Sequence, residues 1–305
     1  MLSKKKIAVL IPCLNEEKTI SDVIKKIQAK LDLADIYLFD NNSSDNSRAI
    51  AKKAGALVFN VRRRGKGNVV RKMFSEVSAD IYIMVDGDDT YDIINIEKMV
   101  NLLEKEKLDM VVAKRISNDP TAYRFGHKIG NKIFSNLVKY IFGTQAGDLF
   151  SGFRVFSRRF VKSFPCNSVG FEIETELTIH ALEQRLDMSE VNCIYSSRPL
   201  GSESKLKTFG DGIKILNLIL ILIKDEKPLL FFSILSFIFL ILSLTIGIPV
   251  IIEFINTGLV DRFPSAVLAG IIMVISFLCF FSGLILDVVK KTRHEMKRLS
   301  YLSIK

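Results

Sequence analysis

IYIMVDGDDTY, residues 81–91, is the stretch from which the fold can be read. Ile81–Val85 is a short apolar run rich in β-branched and aromatic side chains, the pattern of a buried strand. The chain then turns acidic at once, through Asp86, Gly87, Asp88 and Asp89. A strand alternates its faces, but where the backbone leaves a sheet Asp86 and Asp88 can both reach one hard cation. Carboxylates completed by diphosphate oxygens suit Mg2+ or Mn2+, and such an ion would neutralise a departing diphosphate. The plainer alternative is an acidic turn capping a helix that begins at Ile93.

The same rhythm repeats on both sides of this stretch. Strands are expected at 6–12, 35–40, 57–61, 81–85 and 109–113, with helices at 17–30, 44–54, 67–77 and 93–105. This alternation predicts an α/β fold with a mostly parallel, Rossmann-like sheet covered by helices on both faces. Ligands then bind beyond the carboxyl ends of the strands, and the residues there are polar. The first strand runs out through Pro12, Cys13, Leu14, Asn15 and Glu16, the second through Asp40, Asn41, Asn42, Ser43, Ser44 and Asp45. Helix capping alone would explain Asn15, Ser43, Ser44 and Asp45; the shared position of Glu16 and Asp40 points toward a nucleotide base or ribose. After the third strand, Arg62 to Asn68 (RRRGKGN) opens a helix whose free N–H groups and basic side chains, Lys66 included, could face a diphosphate. A tight turn with solvated arginines is the other reading, and the run lacks the dinucleotide fingerprint. Further on, a long helical segment is expected at 118–143, more helix to about 185 and a last strand at 191–195.

The composition changes near residue 228. Residues 229–252 and 264–286 are free of charged side chains, and each run exceeds the roughly 20 residues that cross a bilayer core. Lys290, Lys291, Arg293, Lys297 and Arg298 follow the second run, while the linking loop holds only Glu253, Asp261 and Arg262. The positive-inside rule predicts an integral membrane protein of two spans with both termini and the folded domain cytoplasmic. The start of the chain reads as a strand and not a signal peptide, because Asn15 and Glu16 end the apolar run too early. The expected organisation is a catalytic domain at 1–208, a juxtamembrane amphipathic helix at 209–228, two membrane helices at 229–290 and a basic cytoplasmic tail at 291–305. The helix before the spans could lie in the membrane interface or dock on the sheet.

The formal charge of +10 is spread along the chain, with no nucleic-acid module, so it argues for anionic lipid head groups and against DNA or RNA. Cys13, Cys166, Cys193 and Cys279 form no CxxC pair, which fits reduced thiols. His127, His180 and His294 are equally scattered, and no zinc site is expected.

Taken together, PCLNEE, DNNSSDNS, GKG and DGDDTY resemble the GT-A domain of glycosyltransferase family 2. DLFSGFR (148–154), GFEIETEL (170–177) and RPLGSESKL (198–206) are similar to its polyprenyl-phosphate sugar transferase branch, which includes dolichol-phosphate mannose synthases and bactoprenol glucosyltransferases. The resemblance covers essentially the whole chain. It implies nucleotide contacts at Pro12, Leu14, Glu16 and Asp40, a metal on Asp86 and Asp88 with Gly87 between them, and places Arg115, Arg198, Ser204 and Lys205 near phosphates. It also places Asp148 and Arg154 in the active-site loop. The mannose synthases commonly carry a glutamine ligand two residues after the second aspartate, whereas this chain has Thr90, which leaves Asp89 or water to complete the metal.

The reaction so implied is inverting transfer of a hexose from a UDP-glucose or GDP-mannose type donor to a polyprenyl phosphate. An acceptor phosphate is already ionised, so no strong base is needed. Arg124, Arg198 and Lys205 are candidates for gripping that phosphate, each also readable as a solvated cation. Homo-oligomerisation is compatible with the reading. A processive polysaccharide synthase would be expected to carry a tryptophan motif and more spans, and this chain has no Trp. A non-catalytic scaffold would have no need of the acidic motif.

Overall fold

Among the described residues, seven strands form one mixed sheet. The computed structural model describes residues 5–116, 136–142, 147–170, 172–196 and 220–304. They divide into two compact units, Met1–Thr208 with Lys297–Lys305, and Phe209–Met296.

In the first unit the strands are β1 Ile7–Cys13, β2 Asp35–Asp40, β3 Leu57–Asn60, β4 Ile81–Met84, β5 Met110–Ile116, β6 Arg154–Ser157 and β7 Met188–Ile194. Between them lie α1 Ile20–Lys30, α2 Ser47–Lys53, α3 Lys66–Glu76, α4 Ile96–Lys105, α5 Arg158–Ser163 and α6 Ile173–Glu183. The neighbouring strands β3, β2, β1 and β4 pair in parallel, as the alternating pattern predicts. Strand β6 was not foreseen: only four residues long, it inserts antiparallel between β4 and β5. The full order is β3-β2-β1-β4-β6-β5-β7, the mixed, mostly parallel, Rossmann-like sheet that the sequence leads one to expect.

Side-chain alternation builds a core on each face. Val9, Ile11 and Cys13 of β1 pack toward α1 and α4, while Ala8 and Leu10 pack toward α3, α5 and α6. Helix α1 buries Ile20, Val23, Ile24 and Ile27, an i, i+3, i+4, i+7 stripe. Each such side chain contributes about 1.5–3 kcal/mol when fully buried. Ser157 caps α5 by accepting from the Phe160 N–H at 3.0 Å, so β6 passes directly into a helix.

The second unit holds α7, Pro228–Thr257, and most of α8, Phe263–Ser303, two helices long and apolar enough to cross a membrane. Thirty residues at about 1.5 Å each give roughly 45 Å, more than a bilayer core of about 30 Å. Pro228 starts α7 where no intrahelical N–H is needed, and Gly258 ends it at φ 72°. Hydroxyl groups join the pair: Ser243 Oγ donates to Ala269 O and Ser276 Oγ to Ser236 O, both at 2.8 Å. Beside Gly283, Phe232 Cβ would stand 3.0 Å from an added Cβ, so the helices approach closely there. Helix α8 continues to Ser303, through residues that read in the sequence as a tail. The juxtamembrane segment at 209–219 lies outside the described residues; 220–226 is helical.

Candidate active site

The strand ends converge on Asp86. It stands just beyond β4, and the Lys66 ammonium at the start of α3 lies 2.6 Å from Asp86 Oδ1 and 2.5 Å from Glu174 Oε1 on α6. On the other oxygen, an added Cβ at Gly152 would fall 2.1 Å from Asp86 Oδ2, so loop 148–153 lies against the carboxylate. The Gly152 N–H donates to the Tyr91 hydroxyl at 2.9 Å, and Tyr91 is itself buried. Burial would lower the Lys66 ammonium, but Asp86 and Glu174 together outweigh it and raise it above its ordinary value. Burial raises the Glu174 carboxyl.

Asp88 is buried, and its Oδ1 accepts from Thr90 Oγ1 at 2.7 Å. Thr90 therefore orients this carboxylate. Asp89 turns outward at φ 56° and is held by Lys26, with both carboxylate oxygens 2.7 Å from Nζ. The next residues are tied to the end of β7, where the Ser196 N–H donates to Thr90 O at 2.9 Å and Tyr91 bridges to Tyr195.

The loops after β1 and β2 interlock. Asn15, at φ 52°, donates its N–H to Ser43 Oγ at 2.9 Å and accepts from the Ser44 N–H at 2.8 Å. The Glu16 N–H reaches Ser47 Oγ at 2.8 Å. These bonds fix Pro12, Leu14 and Glu16 at the mouth of the sheet. Asp40 is fully buried, its carboxylate accepting from the Ser43 N–H and paired with Arg48 Nε at 2.8 Å. It anchors the loop from beneath.

Two expectations are corrected here. Arg154, expected in the active-site loop, does not open its guanidinium to a bound group: it begins β6 and is fully buried, donating to Ser151 O at 2.8 Å, Leu149 O at 2.9 Å and Thr178 Oγ1 at 2.8 Å. It shapes loop 148–153 from behind, and burial lowers its pKa. Nor does α3 offer a row of open N–H groups. Gly65 N–H donates to Asn41 Oδ1 at 2.7 Å, and Gly67 N–H to Val169 O at 3.0 Å. Arg62 and Arg63 line a groove of about 410 Å3 along the outer face of α3, a lining that does not include Asp86.

Arg115 and Asp148 are brought together as a partly buried ion pair, with Arg115 also over the Tyr195 ring at 5.3 Å. Arg124, Arg198, Ser204 and Lys205 lie outside the described residues. Glu174, Tyr91 and Gly152 were not singled out by the sequence reading. All three sit inside quoted motifs, GFEIETEL, DGDDTY and DLFSGFR, but nothing local marks them as part of the surroundings of Asp86.

The donor set at the strand ends is carboxylate oxygen, and the Lys66 ammonium already sits against Asp86 as a cation, so a divalent ion fits this position in charge and chemistry. Among the described residues no third His, Cys, Asp or Glu closes a ligand cluster with Asp86 and Asp88. The remaining ligands would have to be diphosphate oxygens or water.

A model of glycosyl transferase family 2 matches residues 8–164. The chain belongs to this family. A Shigella flexneri protein of uncharacterised role is 55% identical over 157 residues, 52% of this chain and 96% of its own. Glycosyltransferase AglJ of Haloferax volcanii is 30% identical over 97% of this chain and 98% of its own length. A dolichyl-phosphate hexose transferase of the same organism is 26% identical over 68% of this chain and 90% of its own. Among solved structures, the glucosyl-3-phosphoglycerate synthase of Mycobacterium tuberculosis, crystallised with Mn2+, UDP-glucose and phosphoglyceric acid, covers 73% of this chain and 80% of its own at TM-score 0.56 and 24% identity. That likeness shows the shared fold. The family 2 chain is thus a glycosyltransferase whose relatives support the polyprenyl-phosphate branch.

Proposed function

We propose that this glycosyltransferase moves a hexose from a nucleotide sugar to a polyprenyl phosphate, with inversion, at a membrane surface. One observation carries the reading: a family 2 site, with Asp86 and Asp88 beyond β4, shares its chain with two helices long enough to cross a bilayer. Relatives named for dolichyl-phosphate hexose transfer support the acceptor class. Within the second unit, a groove of about 640 Å3 has Leu229, Leu230, Ile234 and Phe237 on its walls and Lys227 and Lys290 at its edge. Glu226 and Asp287 share that lining, so its charge is mixed, and it is the apolar walls that match an isoprenoid chain.

In this reading Pro12, Leu14 and Glu16 meet the nucleoside, with Asp40 anchoring the loop below them. Asp86 and Asp88 hold Mg2+ or Mn2+, which when bound supplies positive charge to the leaving diphosphate. An oxygen of the lipid phosphate attacks the anomeric carbon as the bond to the nucleoside diphosphate breaks and its electron pair stays on the diphosphate oxygen. Loop 148–153, braced by Arg115 and Arg154, closes the far side of Asp86 and excludes water. Arg124, Arg198 and Lys205, with Ser204, are assigned to the acceptor phosphate. The spans set the folded domain and both termini on the cytoplasmic side, where nucleotide sugars are made.

The test is transfer by the purified full chain from radiolabelled UDP- and GDP-sugars to undecaprenyl or dolichyl phosphate, with Mg2+ or Mn2+ and with EDTA. A metal-dependent, mild-acid-labile lipid product is expected. Transfer to a soluble acceptor with none to either lipid would overturn the acceptor assignment.

A further inference from the structure

We propose that Lys66 is a resident counter-cation, which occupies the metal position on Asp86 until a nucleoside diphosphate draws it away. This deepens the proposed function and rests on the metal role of Asp86. The backbone at position 66 cannot move aside. Added Cβ atoms at Gly65 and Gly67 would each fall 2.2 Å from a backbone oxygen, of Val169 and Ser168 respectively, and the Gly67 N–H is bonded to Val169 O. Gly65 also has φ 120°, a conformation that a larger side chain would strain.

From this fixed base the Lys66 side chain reaches inward, only 9% exposed, and divides its ammonium between Asp86 Oδ1 and Glu174 Oε1. With Oδ2 facing Gly152, each oxygen of Asp86 has a neighbour, and the side chain keeps 22% of its surface exposed. A divalent ion placed there would stand next to a full positive charge in a buried setting, where repulsion is poorly screened. A diphosphate changes that balance, because its oxygens offer the ammonium a second anionic partner. Lysine has three donors on a flexible stem, so it can keep Glu174 while exchanging Asp86 for a phosphate oxygen. Glu174 is then a positioning residue, the fixed contact about which the ammonium pivots. Metal and nucleotide thereby bind cooperatively, each raising the affinity for the other.

The experiment is Mn2+ binding to the full chain in nanodiscs, followed by the electron paramagnetic resonance of free Mn2+, with no nucleotide, with UDP and with GDP. Wild-type protein is expected to bind Mn2+ about tenfold more tightly with the matching nucleotide, within the usual range of coupling between two sites. Lys66→Met should gain about that factor without nucleotide and lose most of the coupling. The double variant Lys66→Met with Glu174→Gln removes the Glu174 carboxylate that the single variant leaves without its cation, so that Asp86 alone keeps its charge, and its melting temperature reports folding. Equal nucleotide-free affinity in wild type and both variants overturns the counter-cation role while leaving the metal site intact. Absence of Mn2+ binding even with either nucleotide overturns the metal reading itself, and the counter-cation role with it.

Discussion

Arg115 grips Asp148 through two guanidinium bonds, Nε to Oδ2 at 2.7 Å and Nη2 to Oδ1 at 2.8 Å, and its backbone N–H adds a third at 3.1 Å. The pair joins the end of β5 to the loop that lies against Asp86. Burial alone would raise the Asp148 carboxyl, but Arg115 outweighs it and holds the group below the usual carboxylate range. A depressed folded value means the stabilisation is present above the unfolded pKa of about 3.9 and is lost as pH falls through the lower folded value. Arg115→Ala should cost about 1–3 kcal/mol by leaving a partly buried carboxylate without its cation. Asp148→Asn should flatten the acid limb of a thermal-melt series below about pH 4. An unchanged acid limb in that variant would remove the pair from the account.

Gly152 has no room for a side chain beside the site. Its added Cβ would stand 2.1 Å from Asp86 Oδ2, and Asp86 cannot retreat without leaving Lys66. Gly152→Ala is therefore expected to displace Asp86 or the loop, at about 1–3 kcal/mol of stability. Turnover should fall far more than stability does, since misplacement of about 1 Å can cost about a hundredfold in rate. Circular dichroism and a donor-hydrolysis assay on the same preparation separate the two effects. Wild-type turnover in this variant would show that the loop contact is not needed.

The fold and the acidic motif were legible because both are written in local patterns. Ile81–Met84 is uniformly apolar and buried, and Asp86 and Asp88 follow it within one turn of chain. Glu174 was not legible, because its partner Lys66 is 108 residues away and the two meet only when α3 and α6 pack on the same face of the sheet. Strand β6 was missed for a related reason: RVFS is four residues long, and its antiparallel place between β4 and β5 depends on pairing, not on periodicity. Arg154 read as a residue facing the site because a guanidinium is usually exposed or anion-bound. Its burial became visible only with the carbonyls of Leu149 and Ser151 around it.

His180 on α6 gives the first unit an acid-sensitive point. It is buried between the edges of Phe160 and Phe164, with ring centroids 5.5 and 5.2 Å away, and neither ring nitrogen has a hydrogen-bond partner among the described residues. Burial, with Lys297 nearby, pushes the imidazole down from 6.5 to about 4. The unfolded chain thus binds this proton more readily, so stability is full above about pH 6.5 and falls as pH drops toward 4. The whole interval is worth roughly 3 kcal/mol. His180→Leu should hold neutral-pH stability and remove most of that slope. A melt series between these two pH values measures it, and an equally steep variant would place the acid sensitivity elsewhere.

Tyr301, near the end of α8, belongs to the catalytic unit and fastens the chain terminus to it. Its hydroxyl donates to Asp109 Oδ2 at 2.8 Å, and its ring stacks with Arg159 and Arg298, whose guanidinium carbons lie 5.1 and 5.2 Å from its centre. Asp109 also accepts from Ser157 Oγ at 2.8 Å, so the contact reaches the start of β5 and the cap of α5. A hydrogen bond to a charged group contributes about 1.5–3 kcal/mol, and each cation–π contact about 0.5–2 kcal/mol. Tyr301→Phe should therefore lose only the first contribution, and Tyr301→Ala both. Trypsin should cut the Ala variant faster after Lys297 or Arg298, with the Phe variant between it and wild type. Because the contacts lie away from Asp86, kcat of the folded fraction should stay unchanged in both. If the Phe variant is as protease-sensitive as the Ala variant, the aromatic ring is not what holds the terminus.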